Sequence, residues 1–229
     1  MGEATEVEIT NARVTALIAV TICLLGVAAC GGTDTEGEGG VSAPTKAQLT
    51  QAALTQGDLT GYTVKDNSDA QSETSARAAK EDCQPIVNAM NPETIAYDER
   101  IVRRSVAETK QPEASFLIAL SSVKSKEKAN QAVSDLRTAL SDSTCLTGFD
   151  SILSGESFNI RRVLTNATVK DAVDFSIEAK NGMKVRYVFL AQGSALLRIL
   201  AADPSFNHFV AIPKRLVAKQ KQKVSKVSK

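Results

Sequence analysis

Apolar and polar positions follow different periods along the chain, and the period changes mark its elements. The clearest helical stretch is SKEKANQAVSDLRTALSD, where Ala129, Val133, Leu136 and Leu140 recur on one face and Ser125 stands at the capping position. KAQLTQAALTQ predicts a shorter helix with Leu49, Ala52 and Ala53 on one side, followed by a turn and short strand in GDLTGYTV. The polar segment DNSDAQSETSARAAKED separates these from CQPIVNAMNP, a short helix with Pro85 in its first turn and Asn91-Pro92 at its end. Strand-like runs follow at 99–108 and 115–123. Further on, DAVDFSIEAK alternates strictly, Asn181-Gly182 predicts a type I′ hairpin, and KVRYVFLA returns. Gln192-Gly193 turns again into SALLRILAA, and a basic helix opened by Pro213 closes the chain. The runs at 184–202 are apolar on both faces, so the sheet is either covered on both sides or lines a cavity on one. The predicted class is α+β: an antiparallel β-sheet packed by helices, with a C-terminal β meander and terminal helix.

Before all of this lies an uncharged, mostly apolar run, Val14 to Ala29. At 16 residues it is short for a membrane span, which needs about 20. It ends in Val27-Ala28-Ala29-Cys30, which resembles the bacterial lipobox. That resemblance implies acylation of the Cys30 thiol, cleavage before it, and a lipidated N-terminal cysteine. The alternative is a buried helix that happens to end in Cys-Gly-Gly. The leader carries three acids and one base, Arg13, against the positive start expected of a signal peptide. A true start downstream of Met1 reconciles the two. Residues 31–45 are Gly, Thr and Glu without apolar period, a flexible tether. The expected organisation is a signal peptide at 1–29, lipidated Cys30 and tether at 30–45, and one α+β domain at 46–229.

Cleavage would remove one base and three acids, leaving a net charge of +3 with His neutral. That balance gives no argument for a nucleic-acid partner. The absence of Trp argues against sugar-stacking platforms. With Cys23 in the leader and Cys30 taken by lipid, Cys83 and Cys145 remain in an exported domain and are expected to pair. Two buried free thiols are the alternative. Two cysteines and the single His208 offer no metal-ligand spacing, and no cofactor is expected.

In order, the lipobox, LTQAALTQGDLTGYTV, EDCQPI, the helix ending LRTALSDSTC, the paired hairpins and IPKRLVAKQKQKV resemble actinobacterial lipoproteins related to the PknH-type extracytoplasmic sensor domain. The resemblance spans roughly residues 46–224. It implies an antiparallel sheet with helices, disulfides and a central cleft for a ligand. The family's sensor has two disulfides and this chain has cysteines for one once Cys30 is acylated, so no cleft residues are carried over.

No nucleophile elbow, phosphate-binding loop or H-E-x-x-H motif is present, and His208 in SFNHF lacks a marked serine. The expectation is therefore not an enzyme. Arg100, Arg103, Arg104, Arg161, Arg162, Arg186 and Arg198 fall in predicted strands, with Arg103/Arg104 and Arg161/Arg162 on opposite faces. Arg186 and Arg198 interrupt apolar strands. They meet either a buried acid such as Asp174 or Glu178, or an anionic ligand headgroup. The tail from Lys214 holds seven bases and no acid. It reads as a solvated helix end or as a contact for anionic lipid. Together these features predict a lipid-anchored, extracytoplasmic, non-catalytic module that binds an unidentified ligand or envelope protein. The alternatives are a lipid or glycolipid carrier and a structural adaptor.

Overall fold

The structure, a computed structural model, describes residues 43–68, 76–96, 98, 100–110, 114–153, 155–167 and 169–228. The apolar leader, the lipobox with Cys30, most of the tether and part of the polar segment near residue 70 lie outside the described residues.

Helix α1, Lys46–Ala52, starts in a reciprocal capping box: the Thr45 hydroxyl accepts from the Gln48 N–H, and the Gln48 side chain accepts from the Thr45 N–H. Strands β1 (Tyr62–Asp66) and β2 (Ala76–Ala78) follow. A 3₁₀ turn at Glu81–Cys83 leads into α2, Gln84–Met90, which has Pro85 in its first turn and stops at Asn91. A second 3₁₀ turn, Pro92–Ile95, precedes β3 (Ile101–Glu108) and β4 (Ser115–Ser122). Helix α3, Lys126–Ala139, is capped by Ser125 and buries Ala129, Val133 and Leu136, with Leu140 at its end. After α4 (Ser143–Leu146) come β5 (Phe149–Leu153), β6 (Glu156–Asn166), β7 (Val173–Ala179), β8 (Lys184–Gln192), β9 (Ala195–Ala202) and α5 (Lys214–Val224).

All nine strands form one antiparallel sheet in the order β1-β3-β4-β9-β8-β7-β6-β5-β2. The α+β class is as expected, with the β5–β6 hairpin and the β2 edge added. Between β7 and β8 the connection differs from the type I′ expectation. Gly182 has a positive φ of 88° but Asn181 does not, and the Gly182 N–H donates to the Ala179 carbonyl. This is the three-residue loop in which a type I turn is followed by a left-handed glycine.

Alternation along β8 and β9 explains the layers. Val185, Tyr187, Phe189 and Leu196 point to one face, where α2 and α3 cover them. Val188, Leu190, Leu197, Ile199 and Ala201 point to the other, under α1 and α5. The two-sided apolar strands are therefore covered on both faces. A disulfide joins Cys83, before α2, to Cys145 in α4, closing 62 residues of chain. On the opposite face one amide ties the first and last helices. Gln220 of α5 donates to the Ala52 carbonyl (2.7 Å) and accepts from the Leu54 N–H (3.1 Å), while Arg104 Nε donates to the Leu54 carbonyl (3.2 Å). The end of α1 thus has its backbone groups satisfied by side chains from β3 and α5.

Two expectations follow. Replacing Cys83 and Cys145 by serine lowers unfolding free energy by about 4 kcal/mol on loop-closure grounds, read from urea titrations of oxidised and variant protein. Gln220→Leu leaves two buried backbone groups unpaired and costs about 1–3 kcal/mol in the same titration.

Candidate cleft and its surroundings

A cleft of about 420 Å³ opens on the α2/α3 face. One wall is α2 and the turn after it (Pro85, Asn88, Ala89, Ile95, Ala96), the other is α3 (Lys128, Gln131, Ala132, Asp135). Val123, Lys124 and Phe189 complete it, with Phe189 rising from β8. The α3 residues Lys128, Ala132 and Asp135 are spaced i, i+4, i+7, a row beside the buried stripe of that helix. Small side chains at Ala89 and Ala132 leave open the space that larger residues would fill.

The polar groups at the cleft are oriented by a chain of constraints. Gln84 Oε1 accepts from the Ala78 N–H (2.8 Å), so its Nε2 must donate, to the Ala76 carbonyl and to Asn88 Oδ1. That assignment leaves the Asn88 Nδ2 as the free donor of its amide among the described residues. Gln131 donates to Asp135 at 2.6 Å. The exposed Lys124 and Lys128 ammonium groups have no hydrogen bond or ion pair among the described residues.

Next to the floor sits a buried cationic pair. Arg198 on β9 is the cross-strand partner of Phe189 on one side and of Ala119 on the other, and Ala119 in turn faces Arg103. The small Ala119 thus separates two arginines in one row. Both are about 5% exposed. Arg103 pairs with Glu93 in the turn after α2, and Arg198 donates to the Met90 carbonyl at the end of α2. Burial lowers both guanidinium pKa values, and the charge of Arg198 lowers that of Arg103 further. Arg198 Nε, Asn91 Nδ2 and Ser121 Oγ are buried without a hydrogen-bond partner among the described residues. Burial likewise pushes the nearby Tyr187 hydroxyl up to about 12, against the charge of Arg198.

The two arginines singled out from the sequence do not meet. Arg186 lies on the α1/α5 face and grips Asp174 through Nε (2.9 Å) and Nη2 (2.7 Å), the ion-pair alternative. Arg198 is on the other face and binds a carbonyl, so neither Asp174 nor Glu178 is its partner. Alternation also fails at Arg161 and Arg162. A register shift between Ile160 and Arg162 lets both consecutive arginines reach Glu178. Gly148 makes room for that bulge: its φ is 103°, and a Cβ there would lie 2.4 Å from the Arg161 carbonyl oxygen.

His208 is 83% exposed at its side chain and pairs with Asp203, which also accepts from the Ser205 hydroxyl and the Asn207 N–H. Four of the seven bases in the tail are engaged within the domain. Arg215 lies over the Tyr62 ring and binds its hydroxyl, Lys219 and Lys223 reach Asp58, and Lys221 reaches Asp171. Burial alone would raise the Asp58 carboxyl, but Lys223 and the Thr55 N–H and hydroxyl outweigh it and hold its pKa at about 2. No group of three or more His, Cys, Asp or Glu side chains able to hold a metal occurs among the described residues. No helix among them is long and apolar enough to cross a membrane.

Among solved structures the chain is similar to the extracellular domain of PknH from Mycobacterium tuberculosis, with a TM-score of 0.50 and 12% identity over 83% of this chain and 100% of that one. A Mycobacterium smegmatis ortholog of Rv0999 aligns at 11% identity over 80% of this chain and 92% of that one, with a TM-score of 0.33. No protein-family model and no curated protein matches. The class defined here is an antiparallel α+β domain covered by helices on both faces. Its particular fold is that of the PknH extracellular domain.

Two measurements check these electrostatics. Glu93→Gln removes the carboxylate paired with buried Arg103 and is expected to cost about 3–5 kcal/mol, read by chemical denaturation. Because the Asp58 pKa is depressed when folded, its stabilisation is complete above about pH 4 and disappears as pH falls through about 2. Asp58→Asn therefore lowers stability at pH 6 and shows a smaller loss than the parent chain between pH 4 and 2.

Proposed function

We propose that the chain is a non-catalytic, extracytoplasmic binding module held at the membrane by a lipid on Cys30, with the α2/α3 cleft as its ligand site. The observation that carries the reading is the cleft itself: a preformed, apolar-floored space of about 420 Å³ with a few polar groups at its rim. Small-molecule sites have this anatomy and run to about 300–1,000 Å³. A carrier of whole lipids needs a larger dry cavity, and the strands that suggested one are packed by helices on both sides. The shared fold with an extracellular sensor domain and the Cys83–Cys145 disulfide support an exported location. Lys219, Lys221 and Lys223, tied to Asp58 and Asp171, favour a structural role for α5 over membrane contact.

Native mass spectrometry of the full chain, exported and processed in an actinobacterial host, tests the reading. A bare or weakly liganded mass is expected, and a stoichiometric diacyl lipid or glycolipid would favour the carrier instead. For the anchor, Cys30→Ala is expected to leave the chain unprocessed or released from membranes in fractionation. A variant that keeps the lipidated mass would remove the anchor from the reading.

A further inference from the structure

We propose that the cleft takes a small anionic amphiphile, its apolar part on Ile95, Ala96 and Ala132 and its single carboxylate or phosphate at Lys124, Lys128 and Asn88. The inference rests on the cleft being the ligand site and adds the chemical class. Ile95, Ala96 and Ala132, half-buried in the walls above the buried Phe189, offer an apolar surface that a chain or ring covers. Three donor groups at the same cleft have no partner among the described residues: the two lysine ammonium groups and the Asn88 Nδ2. Gln131 and Asp135 engage each other, so the acid of the rim is the less available group.

The charge around the cleft has the same sign preference. Lys124 and Lys128 stand against Asp135 at the rim, and buried Arg103 and Arg198 stand against Glu93 beside the floor. Among the charged residues that line the cleft, two lysines thus stand against one carboxylate. Buried Arg198, bonded to a neutral carbonyl, is poorly screened by water, so its charge favours an anion in the cleft. A neutral ligand would leave that potential unanswered, and a cation would oppose it. The volume suits one chain or ring system, not a diacyl lipid.

The chain contains no tryptophan, so Ala96→Trp at the cleft wall supplies a single tryptophan in the full-length protein, excited selectively over the three tyrosines. Dodecanoate, phenylbutyrate and dodecanol are titrated against it. At least one of the two carboxylates is expected to change the emission and to bind about tenfold more tightly than the alcohol, the worth of one charge-assisted hydrogen bond. Which carboxylate binds separates an acyl-chain source from an aromatic one. Adding Lys124→Glu and Lys128→Glu, both exposed, is expected to erase the preference. Gln substitutions at the same positions reduce it and guard against any effect of the new acids on folding. If alcohol and carboxylates bind alike and the lysine variants change nothing, the anionic class is overturned and the cleft remains a binding site. If no probe alters emission in any variant, the cleft reading falls together with this one.

Discussion

Strands β8 and β9 are apolar on both sides, and almost everything else in the domain answers that constraint. A sheet whose central strands repel water on both faces cannot stand as a half-solvated antiparallel sheet. It needs two layers of helix, and the chain supplies them from its ends and its middle. The first and last helices cover Val188, Leu190, Leu197 and Ile199, while α2 and α3 cover Tyr187, Phe189 and Leu196. Each layer is then locked differently. Gln220 and Arg104 satisfy the end of α1 with buried hydrogen bonds, and the disulfide ties the segment before α2 to α4. The cleft lies between α2 and α3 over Phe189, with Ala89 and Ala132 among its lining residues.

Elements with strong local signals were legible in the sequence. The α3 stripe, its Ser125 cap, Pro85 in the first turn of α2 and the stop at Asn91 are all decided within a few residues. The β5–β6 hairpin and β2 carry weaker alternation, and their place depends on pairing with neighbours distant in sequence. The Asn181-Gly182 loop shows a finer limit: the dipeptide signals a hairpin but does not choose between a two-residue and a three-residue connection. One extra residue there would reverse the faces of a strand, so loop length carries information that the dipeptide alone lacks. The same holds at Arg161 and Arg162, where the bulge makes neighbours share Glu178 although strict alternation separates them.

The site was less legible than the fold. Lys124 and Lys128 sit in a polar run that reads as the start of a helix, and Phe189 reads as core. Only the packing of α2 against α3 brings them to one opening. Arg198 was visible as a charge in an apolar strand, but its partner is a backbone carbonyl at the end of α2, which no side-chain pattern announces. Arg186 was visible for the same reason, and its Asp174 partner is on the neighbouring strand of the meander. Long-range pairings follow sequence patterns where both partners belong to adjacent strands. They escape when a partner is main chain.

The amide of Gln220 has a consequence for how the domain can be connected. It sets the two ends of the folded chain side by side on one face, while the cleft opens on the other. Segments joined directly to α1 or α5 therefore adjoin one face of the sheet. Tension, tethering or fusion at either end loads the α1–α5 seam. The opening between α2 and α3 lies across the sheet from that seam.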